Sequence, residues 1–313
     1  MQSYCVSVSV RSVPRWLSSR PFSRPSTLLA LSEVNKVPDS GFPGELILFW
    51  RTVVGRAYPR VIAANREPSW IIYEILLPLL STFAFVYVYK SLGAPEEFVG
   101  FVVVGGAAIA FWGNVLWSMG AQLYWERDSG NLDIYIVAPT SLMAVLCGMA
   151  LGGLFTTTLR AVTVVGIASL VFKVGYDTQN LPQLALVFVV GMGALYGLGM
   201  LLSSLYLLWG REAWHINTML REPVYFLTGF YFPVRYLGLA VAAVASLVPL
   251  TLALDATRQL LFGVEKAGGL LPVWQETLAL LLLCVVLLWA AQRALRFMEN
   301  LARREARLSA RGR

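Results

Sequence analysis

The sequence predicts an all-α polytopic membrane protein with six transmembrane helices. Three observations carry this. Of 313 residues, 57% are hydrophobic and only 14% charged. The mean hydropathy is +0.65. The apolar residues also fall in charge-poor runs long enough to cross a bilayer. A soluble domain carries about a quarter charged residues, so the excess apolar surface here has to face lipid.

The remaining composition excludes other classes. The formal charge of +7 comes mainly from arginines in the first 66 and last 21 residues. Basic flanks around apolar spans orient a membrane protein and touch anionic lipid. No aromatic-basic stripe accompanies them, so nucleic acid is not an expected partner. Cys5, Cys147 and Cys284 share no metal-like or redox-like spacing, and His215 has no partner pattern. No metal site is expected.

In chain order, residues 1–44 form a Ser/Arg-rich arm with no acid before Glu33. It resembles an organelle transit peptide but lacks the apolar core of a secretory signal. It reads either as a targeting arm or as upstream sequence from a misplaced start, and in both cases as mobile. Residues 45–69 change character. Leu46, Ile47, Phe49, Trp50, Val53 and Val54 supply an apolar face punctuated by Arg51, Arg56 and Arg60, the pattern of an amphipathic helix lying in the membrane interface. Pro59 is expected to kink it.

A transmembrane domain is expected over 70–297, followed by a basic tail over 298–313. Its first span is 71–89, with Glu74 and Pro78. The second falls in 98–125, uncharged between Glu97 and Glu126 and about 42 Å long as a helix. The third, 142–172, contains Arg160. The fourth occupies most of the uncharged stretch before Arg211, and the last is 274–292. The fifth has two placements. It is 224–248, interrupted by Pro233 and Arg235, or it is 213–232, followed by a hairpin of helices over 233–262 dipping into the outer leaflet. The second places Arg221 and Glu222 inside the membrane, where charges need a partner or water.

Six spans put both ends on one side. With that side cytoplasmic, the inner segments carry nineteen Lys and Arg, against five outside: Lys90, Lys173, Arg235, Arg258 and Lys266. The positive-inside rule therefore predicts cytoplasmic termini. Two GxxxG pairs, Gly148/Gly152 and Gly193/Gly197, permit close helix contact, within the chain or between subunits.

The loop after the second span has its own pattern. Glu126, Arg127, Asp128, Gly130, Asn131, Leu132 and Asp133 precede an apolar stretch ending at Pro139 and Ser141. Acid-rich, glycine-broken and then apolar, it is suited to insertion into a groove on a cytoplasmic partner. Two further motifs are 227–234, with Gly229, Phe230, Phe232 and Pro233, and 248–258, with Pro249, Leu250, Thr251, Asp255 and Arg258.

In these three stretches, taken in order, the chain resembles the type-2 ABC transporter permease family over roughly residues 45–297. Asn131 and Asp133 stand where the family has Thr and Glu. The resemblance implies the permease subunit of an ATP-driven exporter, with 126–140 as the coupling helix and 233–262 as an external re-entrant hairpin. It also implies a second permease subunit, as homo- or heterodimer, and two ATPase subunits that hold ATP and Mg. The chain's own lysines follow Asn35, Tyr89, Phe172 and Glu265, so none completes a P-loop and no cofactor is expected on this chain. A prokaryotic plasma membrane is the implied location.

The expected substrate path runs between protomers along the second and fifth spans, with Asn114, Trp117, Phe226 and Phe230 facing it. Arg221 and Glu222 read either as a binding or gating pair or as a structural pair near the inner interface. The substrate class implied is drug-like, lipid or lipid-linked. The alternative is an ion-coupled secondary transporter, which needs intramembrane ionisable groups; Glu74, Arg160, Arg221 and Glu222 are the candidates.

Overall fold

A computed structural model describes residues 42–138, 140–209, 213–263 and 268–305. Among them there is no strand. The helices are α1 (Phe42–Ala64), α2 (Pro68–Ser91), α3 (Glu97–Gly113), α4 (Gln122–Asp128), α5 (Leu132–Val137), α6 (Leu142–Phe172), α7 (Leu181–Trp209), α8 (Ala213–Leu227), α9 (Leu239–Ala245), α10 (Pro249–Phe262) and α11 (Val273–Glu305). A π-helical segment, Asn114–Gly120, joins α3 to α4. Residues from Ile47 onward form one compact unit. Residues 1–41 of the predicted arm and Pro139 lie outside the described residues, as does the tail beyond Glu305, and residues 42–44 already belong to α1.

Among the described residues, five helices are long and apolar enough to cross a membrane, and α9 with α10, bent by 110°, makes a sixth if counted as one span. This is the make-up of a polytopic membrane protein. The outer surface agrees. Ile72, Leu76, Leu80, Phe85 and Val88 of α2 are exposed, as are Leu278, Leu282, Val285 and Trp289 of α11. Apolar faces of that extent are not left to water. The core is built by α3, the π-helical segment, α6 and α7, with Phe101, Val115, Leu146 and Leu195 fully buried.

Local chemistry sets the helix ends. Ser141 Oγ accepts from the Ala144 N–H and caps α6, satisfying one of its free N-terminal donors. Proline stands in the first turn of α2 and of α10, where no hydrogen bond is lost. The α6 and α11 ends are tied together, since the Leu142 N–H donates to Glu299 Oε1 at 2.7 Å. Glu299 falls in the segment expected as a separate tail, but α11 runs through it unbroken to Glu305.

Both glycine pairs serve packing within the chain. A Cβ on Gly148 would stand 2.5 Å from the Val53 carbonyl and 2.8 Å from Arg56 Cβ, and one on Gly152 would stand 2.8 Å from Arg60 Cβ. The pair is the groove in which α1 rests against α6. Gly193 and Gly197 face Cys284, Leu287 and Leu288 of α11. We expect Gly148→Ala to lift α1 from α6 and to cost about 1–3 kcal/mol. Thermal unfolding in detergent measures this, and an unchanged midpoint would mean that the groove relaxes freely.

Neither sequence placement of the fifth span is one continuous helix. Residues 224–248 do not form one helix. The chain turns at Gly229 (φ +65°) and makes a 3-10 turn over Val234–Leu237. Over 213–232 the helix stops at Leu227 after 15 residues, about 22 Å against a hydrocarbon core of about 30 Å. Pro233 and the left-handed Gly229 end what hydropathy alone would continue.

Around this turn, Arg258 is buried and donates only to backbone carbonyls. Nη1 reaches Gly229 O (2.8 Å) and Phe232 O (3.3 Å), while Nη2 reaches Phe230 O (2.6 Å) and Phe101 O (3.0 Å). Asp255, three positions earlier, accepts from the Leu270 N–H at 2.8 Å. Gln259 donates to Glu276 Oε2 at 3.1 Å and to the Leu271 carbonyl at 2.9 Å. The Asp255–Arg258 motif thus fastens α10 to the loops on either side of it and to the start of α3.

Candidate functional site

Two sites emerge, and the second span joins them. The first is the turn after that span. The helix α4 ends in a Schellman arrangement. Asn131 N–H donates to the Glu126 carbonyl at 2.8 Å and Gly130 N–H to the Arg127 carbonyl at 3.1 Å. Gly130 supplies the φ of +77° that the motif needs. Leu132 buries its side chain, which returns the chain to the bundle as α5.

Glu126 faces into the protein. Arg56 Nη2 donates to its Oε1 at 2.8 Å, Gln122 Nε2 to the same oxygen at 2.9 Å, and Tyr135 OH to Oε2 at 3.3 Å. Burial pushes the Tyr135 phenol up from its ordinary value, Arg56 opposes this and Glu126 adds to it, so the hydroxyl remains a donor. Arg60 completes the cluster, giving Nη1 to Gln122 Oε1 (3.0 Å) and Nη2 to the Ser118 carbonyl (3.1 Å). Ser118 lies in the π-helical segment, where the regular ladder is interrupted. On the other side of that break, Leu123 N–H donates to Ser203 Oγ of α7 at 3.4 Å. Arg127 Nη1 also reaches α7, at the Leu207 carbonyl (3.2 Å).

The acid expected to meet a partner is therefore an internal anchor. Exposed side chains of the turn include Trp125, Asp128, Ser129, Asn131 and Ile134. Sequence reading overlooked Arg56, Arg60, Gln122 and Tyr135. A signal was present: Arg56/Arg60 and Gln122/Glu126 are both i, i+4 pairs, so each presents two polar groups on one helix face.

The second site is a cavity of about 490 Å³ between α2, α3, the π-helical segment, α6 and α8, within the range of ligand pockets. At one end stand Tyr73, Glu74, Trp117, Ser118, Arg160 and Arg221; toward the other lie Leu77, Pro78, Ser81, Ile109, Ala110 and Tyr231. Arg160 forms an ion pair with Glu74 and donates Nη2 to the Ala64 carbonyl at 2.9 Å. Asn114 and Trp117 line this cavity, which lies within the chain, whereas the path expected for them runs between protomers; Asn114 Oδ1 accepts from Tyr196 OH at 2.9 Å.

Phe226 and Phe230 are not brought to this cavity. Phe226 is exposed, with its ring 6.0 Å from that of Phe232, and Phe230 is fully buried against Tyr225. The α8 face that does line the cavity carries Arg221 and Tyr225, four residues apart. Arg221 and Glu222 stand 3.7 Å apart, with Glu222 73% exposed. Among the described residues no group of His, Cys, Asp and Glu is arranged to hold a metal ion. No protein-family model matches the chain, and no curated protein matches it.

Proposed function

We propose that this chain is the transmembrane permease subunit of an ATP-driven ABC exporter, working with two copies of a separate ATPase subunit and a second permease subunit. The observation that carries the reading is the anchored turn at 121–138. A loop that only joined two spans would need few polar residues. This one is held to α1, α7 and the π-helical segment through Glu126, Arg60 and Arg127, while Trp125, Asp128 and Ile134 project outward. A push on the exposed residues would reach the π-helical segment, which lines the cavity, through short, part-buried contacts. That is what an ATPase-coupling element has to do.

In this reading the chain crosses the membrane six times with cytoplasmic termini in a prokaryotic plasma membrane, and α1 lies at the inner interface. Contacts support the count. The α7 end approaches Arg127 and Phe230 sits beside Arg258, so α8 and the residues after it make the fifth passage. The α9–α10 pair leaves from and returns to the Arg258 end, as a re-entrant hairpin would. Alternating access would then shift the population between states open to either side.

Co-purification from the native membrane tests the proposal. A P-loop ATPase is expected to accompany the chain and to be lost, by at least about ten-fold (on the order of 1.4 kcal/mol), in Asp128→Lys and in Ile134→Asp. Glu126 is unsuited to this test because its loss loosens the fold itself. A chain that purifies alone, without nucleotide-dependent activity, would instead favour ion-coupled transport. The Glu74–Arg160 pair beside the cavity, its arginine buried and its carboxylate half-buried, is the observation on that side.

A further inference from the structure

We propose that the cavity binds an amphiphile with a single anionic headgroup, the head held by Arg221 at the Glu74 end and the chain directed toward Ser81 and Tyr231. The transport sense of this inference rests on the permease reading; the binding does not.

The polarity of the cavity runs along one axis. The helices α2 and α6 run alongside each other, since Glu74 pairs with Arg160 and Phe83 packs edge-on to Phe172 with centroids 4.9 Å apart. Charged lining residues gather at one level, those of Glu74 and Arg160. Leu77, Pro78, Ile109 and Ala110 follow over the next two turns of α2. Tyr231 closes the far end, its ring stacked on Phe85 at 3.8 Å and its carbonyl accepting from Tyr89 OH at 3.0 Å. A polar head and an apolar chain therefore have separate, adjoining places.

The sign of the head follows from how the charges are spent. Three charged groups line the cavity, Glu74 of one sign and Arg160 and Arg221 of the other. Glu74 and Arg160 neutralise each other, and Arg160 also serves the Ala64 carbonyl. Arg221 is held less completely. Its carboxylate neighbour Glu222 is at 3.7 Å and largely exposed, as adjacent helix positions point apart. Its other close neighbour is Tyr225, whose ring the guanidinium overlies. The cavity carries one net positive charge, on the group best shaped for a phosphate or carboxylate.

The tyrosines and Trp117 would by themselves suit a quaternary ammonium. Here the Arg221 guanidinium already lies 5.4 Å over the Tyr225 ring. It occupies that aromatic face and repels a second cation.

The test is photolabelling of the full chain in phosphatidylcholine nanodiscs with a dodecyl phosphate carrying a diazirine on its chain, the labelled residues being mapped by mass spectrometry. Labels are expected within 77–81, 109–110 and 225–231, with excess unlabelled dodecyl phosphate competing. Arg221→Gln should lower labelling at least ten-fold and Arg221→Lys restore part of it. Three results would each overturn the proposal: equal labelling by a choline-headed probe, equal competition by inorganic phosphate alone, or labels lying outside the cavity. The headgroup series on the unaltered chain decides the matter even if a variant fails to fold. An ATPase that co-purifies while labelling fails would strike the ligand class and leave the permease reading. Labelling as expected without an ATPase would support the ligand class and remove that reading.

Discussion

Arg258→Met is expected to abolish folding into a detergent-stable protein. The side chain is nearly as long and as apolar as the site would allow, so shape alone would be tolerated. The loss is in hydrogen bonding. Four backbone carbonyls, those of Phe101, Gly229, Phe230 and Phe232, receive donors from one guanidinium, and the site is 1% exposed. A buried acceptor left without a donor costs about 1–3 kcal/mol. Even two uncompensated carbonyls would consume much of the 5–15 kcal/mol that holds a typical protein folded.

Arg258→Lys should fall between, because an ammonium is a point donor and cannot serve both sides of the fork. Size-exclusion profile and thermal midpoint measure both variants. A methionine variant that elutes and melts as the parent does would show that water or a shifted loop satisfies the carbonyls. Gly105 belongs to the same construction. A Cβ there would overlap the Phe230 carbonyl and come within 3.1 Å of Arg258 Nη2, so the glycine is what lets the loop reach α3.

Glu126→Lys is the second large expected effect. It removes the carboxylate on which Arg56, Gln122 and Tyr135 converge and places a third cation beside Arg56 and Arg60. Breaking a buried pair from one side costs about 3–5 kcal/mol. Arg56 keeps 29% of its side chain exposed, so the lower part of that range is expected. Release should be local, with faster amide exchange over α1 and 121–138 and unchanged exchange over α10. Arg56→Glu in the same chain restores one opposite-charge contact and should recover part of the loss. If the single and double variants melt alike, Arg56 and Glu126 are not coupled.

These two sites differ in how far they could be foreseen. The Asp255–Arg258 spacing was visible as a motif, but nothing in it says that the arginine meets carbonyls rather than an acid. At Glu126 the motif drew attention to the right loop and gave the wrong direction for its acid. Its partners lie 62 and 70 residues away for the Arg60–Gln122 and Arg56–Glu126 contacts, on a helix that hydropathy describes only as an amphipathic surface element. Among the residues expected on a path, Asn114 and Trp117 line the cavity within the chain. Phe226 is exposed on α8, and Phe230 lies beyond the turn at Gly229, where a helix continued past Leu227 would not have put it.

What the sequence by itself determined is the class and the long helices: apolar runs of 21 to 32 residues have few alternatives when each backbone N–H and C=O must be satisfied without water. The order of charged and apolar stretches also located the turn after the second span and the glycine pairs that seat neighbouring helices. Tertiary structure alone decided the facing of Glu126, the end of α8 at Leu227, the bend between α9 and α10, and the cavity with its unequal arginines. Each depends on contacts between residues distant in the chain, whose geometry is set by packing and by which donor reaches which acceptor. Periodicity along one helix carries no information about that choice.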